Sequence, residues 1–312
     1  MLNYLILEPI RHRYFGLGWL RFWQILHDRT NGAMDDAYRA LVRLWRPPIA
    51  LPDPALLDRG QIAILVGELR RDGCALLPYR VSKQDIDALR GFAFATPAYA
   101  DNRAKTALLR EDSVAAGHAR YTWRTGDLLA NPVIQRLVLE GPFNAIAQDY
   151  LGSRPKLATI TLWLNPAFPG RNENNVYHCD NDGPGFLKFF IYLTDMRIGT
   201  GAHYFIKGTH SHRKPSQFSR VSRYSEEQLF AHYDQAIEYV AEGEAGTILA
   251  EDTIGFHRGS NIERGYRLML QLQYSVIDIP TEEDVAREYA PFAVPGLDPA
   301  TARVTGKFFK AW

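Results

Sequence analysis

Near residue 155 the hydrophobic pattern of this chain changes period, and that change limits its fold more than any other feature. Before it, apolar residues recur at helical spacing. After it come five apolar runs of strand length: "LATITLWLNP" (157–166), "GFLKFFIYLTD" (185–195), "AHYFIKGTH" (202–210), "GTILAED" (246–252) and "YRLMLQLQYSVI" (266–277). Gly, Pro, Asn and Asp cluster between them, as turn residues do. Strands that follow one another without a helix between each pair join antiparallel, because a parallel pair needs a long crossover. The expected class is therefore α+β or mainly β: an antiparallel sandwich or jelly roll with helices packed against it, not a parallel βαβ sheet. One stretch, 223–241, reads as a helical insert between strands. No GxGxxG, Walker or GxSxG motif and no internal repeat occurs, so no dinucleotide, P-loop or esterase fingerprint is present.

The first half reads as helices. Two open the chain. In the second, Ala37, Leu41, Leu44 and Trp45 fall at helical spacing, and Pro47-Pro48 stops it. "RPPIALPDP" (46–54) is a linker or strap. Residues 1–58 are thus expected to form a helical extension on a main domain over 59–312, the two making one compact unit. A helix over 60–71 ends at Gly73, and "CALL" follows as a short strand. Ser82 with Asp85 makes a capping pattern. Asn131 and Pro132 supply an N-cap and a first-turn proline. A helix over 142–151 ends at Gly152.

Composition bounds the function. Of 312 residues, 46% are hydrophobic and 23% charged, and the net charge is +1. That is an ordinary soluble balance with no basic excess, so nucleic acid is not an expected partner. Two cysteines, Cys74 and Cys179, make no disulfide framework, and a reducing cytoplasm is the expected setting. The aromatic N-terminus is broken by Glu8, Pro9, Arg11 and Arg13, well short of the ~20 apolar residues a span needs. Its charge order is not that of a signal peptide. A helix packed on the body is expected there; membrane-surface contact or a homodimer contact are its other uses.

The chemistry is concentrated in "VYHCDND" (176–182). His178 and Asp180 are two residues apart, so in extended backbone both point to one side while Cys179 points to the other. One short segment can then offer an imidazole and a carboxylate to one ion. A histidine from a distant strand would complete a two-histidine, one-carboxylate set, which suits Fe(II) and leaves coordination positions open. His257, in "EDTIGFHRGS", fits best, between the last two strands. His210 and His212 compete, but "KGTHSHRKP" reads as a turn. His203 is mid-strand and reads as a packed or hydrogen-bonded histidine. Asp182 is four residues from His178, a helical spacing that Gly183-Pro184 forbids. Arg267 sits in the last strand, where its guanidinium fork can hold a carboxylate in bidentate fashion. Arg264, in the turn, is the second choice.

With these residues in place the chain resembles the phytanoyl-CoA dioxygenase family. The resemblance runs over about 60–280, through "DGCALLPYRVSKQDIDALRGF", "AQDYLGSRPKLATITLWLNP", "YHCDND", "LKFFIYLTDMRIGTGAHYFIKGTHSHRKP" and "GTILAEDTIGFHRGSNIERGYRLMLQLQYS". It implies a double-stranded β-helix core and an oxygenase using Fe(II), 2-oxoglutarate and O2. It implies His178, Asp180 and His257 as iron ligands, and Arg267, with Asn165 and Lys188, as 2-oxoglutarate-binding residues. "KGTHS" matches the family's Gly-Ser-His turn with Thr209 in place of Ser, which gives His210 a structural role. Relatives often carry Ser two residues after the distal histidine; here it is Gly259. Halogenating relatives carry Ala or Gly at the carboxylate position, so Asp180 implies hydroxylation, desaturation or cyclisation, with release of succinate and carbon dioxide. The alternatives are a non-oxidative metal enzyme with the same triad and a non-catalytic binding protein on the same fold. The expected substrate is a small molecule, a natural-product or lipid-like intermediate. Tyr121 and Trp123 are candidate pocket walls, and Arg120, Arg124 and Arg171 candidate receivers of an acidic group.

Overall fold

Every strand run read from the sequence becomes a strand, and the local signals explain where most of them end. The structure is a computed structural model that describes residues 15–100, 108–114, 118–168, 175–211, 214–215, 218–219 and 222–312. Residues 1–14, with His12, and also Arg171 and His212, lie outside the described residues, and so do the expectations attached to them.

Helices dominate up to residue 151. The helix Arg59–Asp72 starts on a full capping box: Asp58 accepts from the Gln61 amide, and the Gln61 side chain returns to the Asp58 amide. It ends on Gly73 with φ +88, a left-handed conformation that glycine takes without strain. Ser82 caps the helix Lys83–Ala95 through the Asp85 amide alone. Asn131 caps Pro132–Glu140, and Gly152 (φ 67) ends Phe143–Leu151.

Twelve strands are described. They are β1 (Cys74–Leu76), β2 (Tyr99–Ala100), β3 (Tyr121–Thr122), β4 (Lys156–Pro166), β5 (Phe186–Tyr192), β6 (His203–Ile206), β7 (Glu238–Ala241), β8 (Ile248–Glu251), β9 (His257–Gly259), β10 (Tyr266–Ser275), β11 (Phe292–Val294) and β12 (Phe309–Ala311). Seven form one sheet in the order β1-β8-β5-β10-β4-β3-β2, three form a second in the order β7-β6-β9, and β11 pairs with β12. All pairings within the two larger sheets are antiparallel.

The seven-stranded sheet has two different faces. On one, Leu187, Phe189, Ile191, Leu268, Leu270, Leu272 and Tyr274 join the large core with Ile62, Leu69, Ile134, Phe143 and Ile146 of the helices. Phe189 meets Phe143 edge-on at 4.9 Å between ring centroids. The alternate residues of the same strands face the second sheet, and several of these are polar: Lys188, Arg267, Gln271 and Gln273, all buried. Period-two alternation thus sends apolar side chains to the helices and polar ones into the gap between the sheets.

Two expectations are corrected. The segment 223–241 is not a helical insert throughout. It holds the short helix Glu226–Phe230 and a 3₁₀ turn, and then β7, which pairs with β6. The lone strand edge of β6 supplies the hydrogen-bonding partners that turn Glu238–Ala241 into a strand. The second helix, Ala33–Trp45, buries a different face from the one its spacing suggested. Val42 and Asp35 point inward, while Leu41, Leu44 and Trp45 are exposed. Val42 packs against Leu151, Val276 and Ile277, so this helix does rest on the body. No helix among the described residues is long and apolar enough to cross a membrane.

Candidate metal centre

Backbone pairing brings the two distant histidines together. The amide of His178 donates to the His257 carbonyl at 3.0 Å, and the His257 amide donates back at 3.0 Å. This is a mutual hydrogen-bonded antiparallel pair, in which facing side chains leave the same side of the ladder. The imidazole centroids are consequently 4.3 Å apart. Two residues on, the Asp180 amide donates to the Thr253 carbonyl at 2.7 Å, which holds the carboxylate beside the rings. Cys179 points the other way, into an apolar cluster with Tyr177, Tyr204 and Phe256.

The ring nitrogens are sorted by their partners. Nδ1 of His178 donates to the Val176 carbonyl (2.9 Å), and Nδ1 of His257 donates to the Gly255 carbonyl (3.0 Å). A carbonyl only accepts, so both rings carry the hydrogen on Nδ1 and present Nε2 as a lone pair. The two Nε2 atoms lie 3.9 and 3.6 Å from the Asp180 oxygens. Ligand atoms of all three residues fall within 4.8 Å of one another, the only such His/Cys/Asp/Glu group among the described residues. One ion fits among them.

Charge is arranged in the same sense. Burial works to raise the Asp180 carboxyl, but Lys188, then His257 and His178, hold it far below the usual carboxylate range. Burial lowers His178, and burial together with His178 takes His257 down to about 4. All three groups are therefore in their metal-binding protonation states at neutral pH.

Facing the triad is a cavity of about 350 Å³ between the two sheets. Its floor is the polar face of β4, β5 and β10: Thr159, Thr161, Trp163, Lys188, Arg267 and Gln273 among others. His203, His257 and Gly259 line the other wall. Arg267 is only 5% exposed, and burial depresses its pKa to about 10. Its Nη1 donates to the Gly201 carbonyl (2.8 Å), while Nε and Nη2 donate to Asn165 Oδ1 (3.3 and 3.0 Å). Among the described residues no carboxylate lies within ion-pair distance of it. A buried guanidinium with neutral partners only has charge left to offer an anion.

The expected site residues divide into three groups. His178, Asp180, His257, Arg267 and Lys188 line this one cavity, with Arg120 and Asp182. Asn165 stands behind Arg267, its cross-strand partner in the β4–β10 register, and orients the fork from the rear. Lys188 reaches Asp180 at 2.6 Å and Asp182 at 2.8 Å, so its ammonium is engaged by the loop carboxylates. Tyr121 and Trp123 do not line this cavity, although Trp123 borders a neighbouring one that shares Arg120, Thr159 and Thr161 with it. Both are core residues, and the Trp123 indole donates to the Thr96 carbonyl at 3.0 Å. Arg124 pairs with Glu288 and Glu283 and stacks over Tyr99. Thr209 fixes its turn by donating to Ile206 O (2.7 Å) and accepting from the Phe256 amide (2.9 Å). His210 lies against Phe205, outside the triad.

Sequence reasoning missed Gln271 and Gln273; it read His203 as a packed or hydrogen-bonded histidine, and the ring does pack on Phe190 and meet Glu251, but it also lines the cavity. The available signal was period two: these positions share a face with Arg267 on β10, and with Phe205 on β6. A larger surface cleft, about 460 Å³, is lined by Pro52, Pro54, Asn144 and Thr301 and contains no histidine or cysteine.

No protein-family model matches the chain, and no curated protein matches its sequence. Solved structures share its shape. The non-heme alpha-ketoglutarate-dependent epimerase SnoN from nogalamycin biosynthesis is 16% identical, over 71% of this chain and 84% of its own, with a TM-score of 0.50. The carbocyclase SnoK from the same biosynthesis is 15% identical over 78% and 95% (TM-score 0.49). HygX from Streptomyces hygroscopicus, solved with nickel and 2-oxoglutarate bound, is 14% identical over 70% and 87% (TM-score 0.47). At such identity the likeness to SnoN is one of fold, a mixed architecture of helices and antiparallel sheet; the His-Asp-His cluster at 178, 180 and 257 is read from this chain itself.

Proposed function

We propose that this protein is an Fe(II)- and 2-oxoglutarate-dependent oxygenase of the phytanoyl-CoA dioxygenase type, built on a double-stranded β-helix, that hydroxylates a C–H bond of a polar small molecule. The observation that carries the reading is a pairing across one cavity: a His-Asp-His cluster on one wall, and on the other a buried arginine without an anionic partner among the described residues. A five-carbon dicarboxylate suits that pairing, because one end can meet a metal while the other meets a guanidinium fork. When bound, iron would supply the centre at which O2 and 2-oxoglutarate react, giving succinate, carbon dioxide and an oxidised substrate.

The rest of the chemistry belongs to the protein. His178 Nε2, His257 Nε2 and an Asp180 oxygen would hold the metal at the wall of the cavity. Arg267, braced by Asn165 and the Gly201 carbonyl, would orient the far carboxylate. The sheets on either side limit water at the reacting atoms. Substrate class follows from the remaining lining. Gln271, Gln273, Thr159, Thr161 and Arg120 are hydrogen-bonding groups, so hydroxyl- or amine-bearing molecules fit this wall better than an acyl chain.

The test is anaerobic titration of the protein with Fe(II) and 2-oxoglutarate, following the visible charge-transfer absorption of the chelate. Wild type develops the band; Asp180→Ala and His257→Ala do not; Arg267→Ala needs about a hundredfold more 2-oxoglutarate. A full band in either ligand variant would remove the reading. A second reading, a non-catalytic binding protein, is favoured by one contact: Lys188 already gives Asp180 the positive charge a metal would give. It predicts no metal binding by wild type, and the same titration separates the two.

A further inference from the structure

One buried polar pair in the cavity wall is not used by this scheme. His203, on β6, faces inward and lines the cavity, 8% exposed. In the β6–β9 register it stands opposite Gly259, which has no side chain to cover that part of the wall. Its Nδ1 lies 3.1 Å from Oε2 of Glu251, a carboxyl with no exposure at all. Among the described residues, neither the second oxygen of Glu251, Oε1, nor His203 Nε2 has a hydrogen-bond partner. The Phe190 ring meets the imidazole edge-on at 4.6 Å and holds its plane. Arg267, Asp180 and Lys188 line the same cavity as His203, so the ring shares that space with the guanidinium and with the triad.

Two buried titratable groups are costly to keep in a wall unless they do something there. Burial keeps the imidazole neutral and favours the carboxylic acid form of Glu251, whose pKa rises to about 7. An acid proton shared with Nδ1 leaves the ring hydrogen on Nε2, directed at the cavity.

We infer that His203 is a further binding residue for the dicarboxylate cosubstrate, its Nε2–H donating to the ligand between Arg267 and the triad, with Glu251 as the positioning residue that fixes the ring. This rests on the 2-oxoglutarate reading above and adds to it a donor read from the structure alone.

The test is calorimetric 2-oxoglutarate binding to Ni(II)-loaded protein, which needs no turnover. Glutamine places an amide nitrogen where imidazole has Nε2, whereas asparagine places it where imidazole has Nδ1. His203→Gln is expected to bind within about threefold of wild type, and His203→Asn about tenfold or more weaker, since a hydrogen bond to a charged group is lost. Glu251→Gln, which keeps a partner for Nδ1, should follow the first, and Glu251→Leu the second. Ni(II) affinity and melting temperature should match between His203→Gln and His203→Asn. Equal 2-oxoglutarate affinity in those two variants, with wild type binding normally, would overturn this inference alone. No binding by wild type would overturn the oxygenase reading and this inference with it.

Discussion

At the scale of single residues, the site is a set of buried groups whose charge states are fixed by neighbours. Burial lowers His257 to about 4 and His203 to about 3, and it lowers His178 as well. An unfolded histidine titrates near 6.5. Below that pH the unfolded chain binds these protons and the folded chain does not, so stability falls as pH drops from about 6.5 toward 4. Glu251 acts in the opposite sense. Its raised pKa makes the folded state bind an extra proton between about 4.5 and 7, which offsets one imidazole. Three histidines against one carboxyl leave a net loss on acidification. Urea unfolding of metal-free protein should show a lower midpoint at pH 5 than at pH 7, by about 1.4 kcal/mol per net proton and pH unit. An unchanged or higher midpoint at pH 5 would contradict this assignment of protonation states.

At the scale of elements, the turn before β6 connects backbone conformation to ligand binding. Gly201 has φ +99, a region that side-chain-bearing residues rarely adopt. A Cβ there would lie 2.6 Å from Cδ of Arg267, and the Gly201 carbonyl also accepts from Arg267 Nη1. Gly201→Ala should therefore displace the guanidinium fork. We expect at least a tenfold loss of 2-oxoglutarate affinity with metal affinity retained, and about 1–2 kcal/mol of lost stability. Calorimetry on the same sample reads both ligands; an unchanged 2-oxoglutarate affinity would show that the fork does not depend on this turn. The elements also show where local pattern is a good guide. The Asn131-Pro132 start and the Gly73 and Gly152 stops fall where the sequence puts them, because a cap acts over a few residues. β7 was hidden because the partner that makes Glu238–Ala241 a strand is β6, some thirty residues earlier. The exposed stripe on Ala33–Trp45 is a similar case. Spacing identified a helix, but which side met the body depended on the pocket available for Val42.

At the scale of the whole molecule, the site is a joint between parts distant in sequence. The metal loop is held by its pairing with β9, the arginine belongs to β10, and the two lie on opposite walls of the cavity. A ligand that spans them should lock the sheets together. Metal at a hundred times its dissociation constant should raise unfolding stability by about 2.7 kcal/mol, and 2-oxoglutarate should add more. Thermal melts with Ni(II), then with chelator, check this; Asp180→Ala should lose the increment, and a metal-dependent shift retained in that variant would place the ion elsewhere.

What the sequence by itself determined is what short range and period determine. The helix caps, the strand runs and the same-side geometry of His178 and Asp180 are local consequences of backbone stereochemistry, and "VYHCDND" carries its meaning within a few residues. The two-faced character of β4, β5 and β10 is also written in their alternation. What only the tertiary structure decided is which alternating residues meet. Strand pairing made His257 the neighbour of His178. Register put Asn165 behind Arg267 rather than in the cavity. The closure of the core took Tyr121 and Trp123 inside. Packing of the second sheet made His203, read from the sequence as a packed or hydrogen-bonded histidine, part of the cavity wall. These are long-range contacts, and their geometry is set by the packing of the two sheets on each other, which no local stretch of the chain encodes.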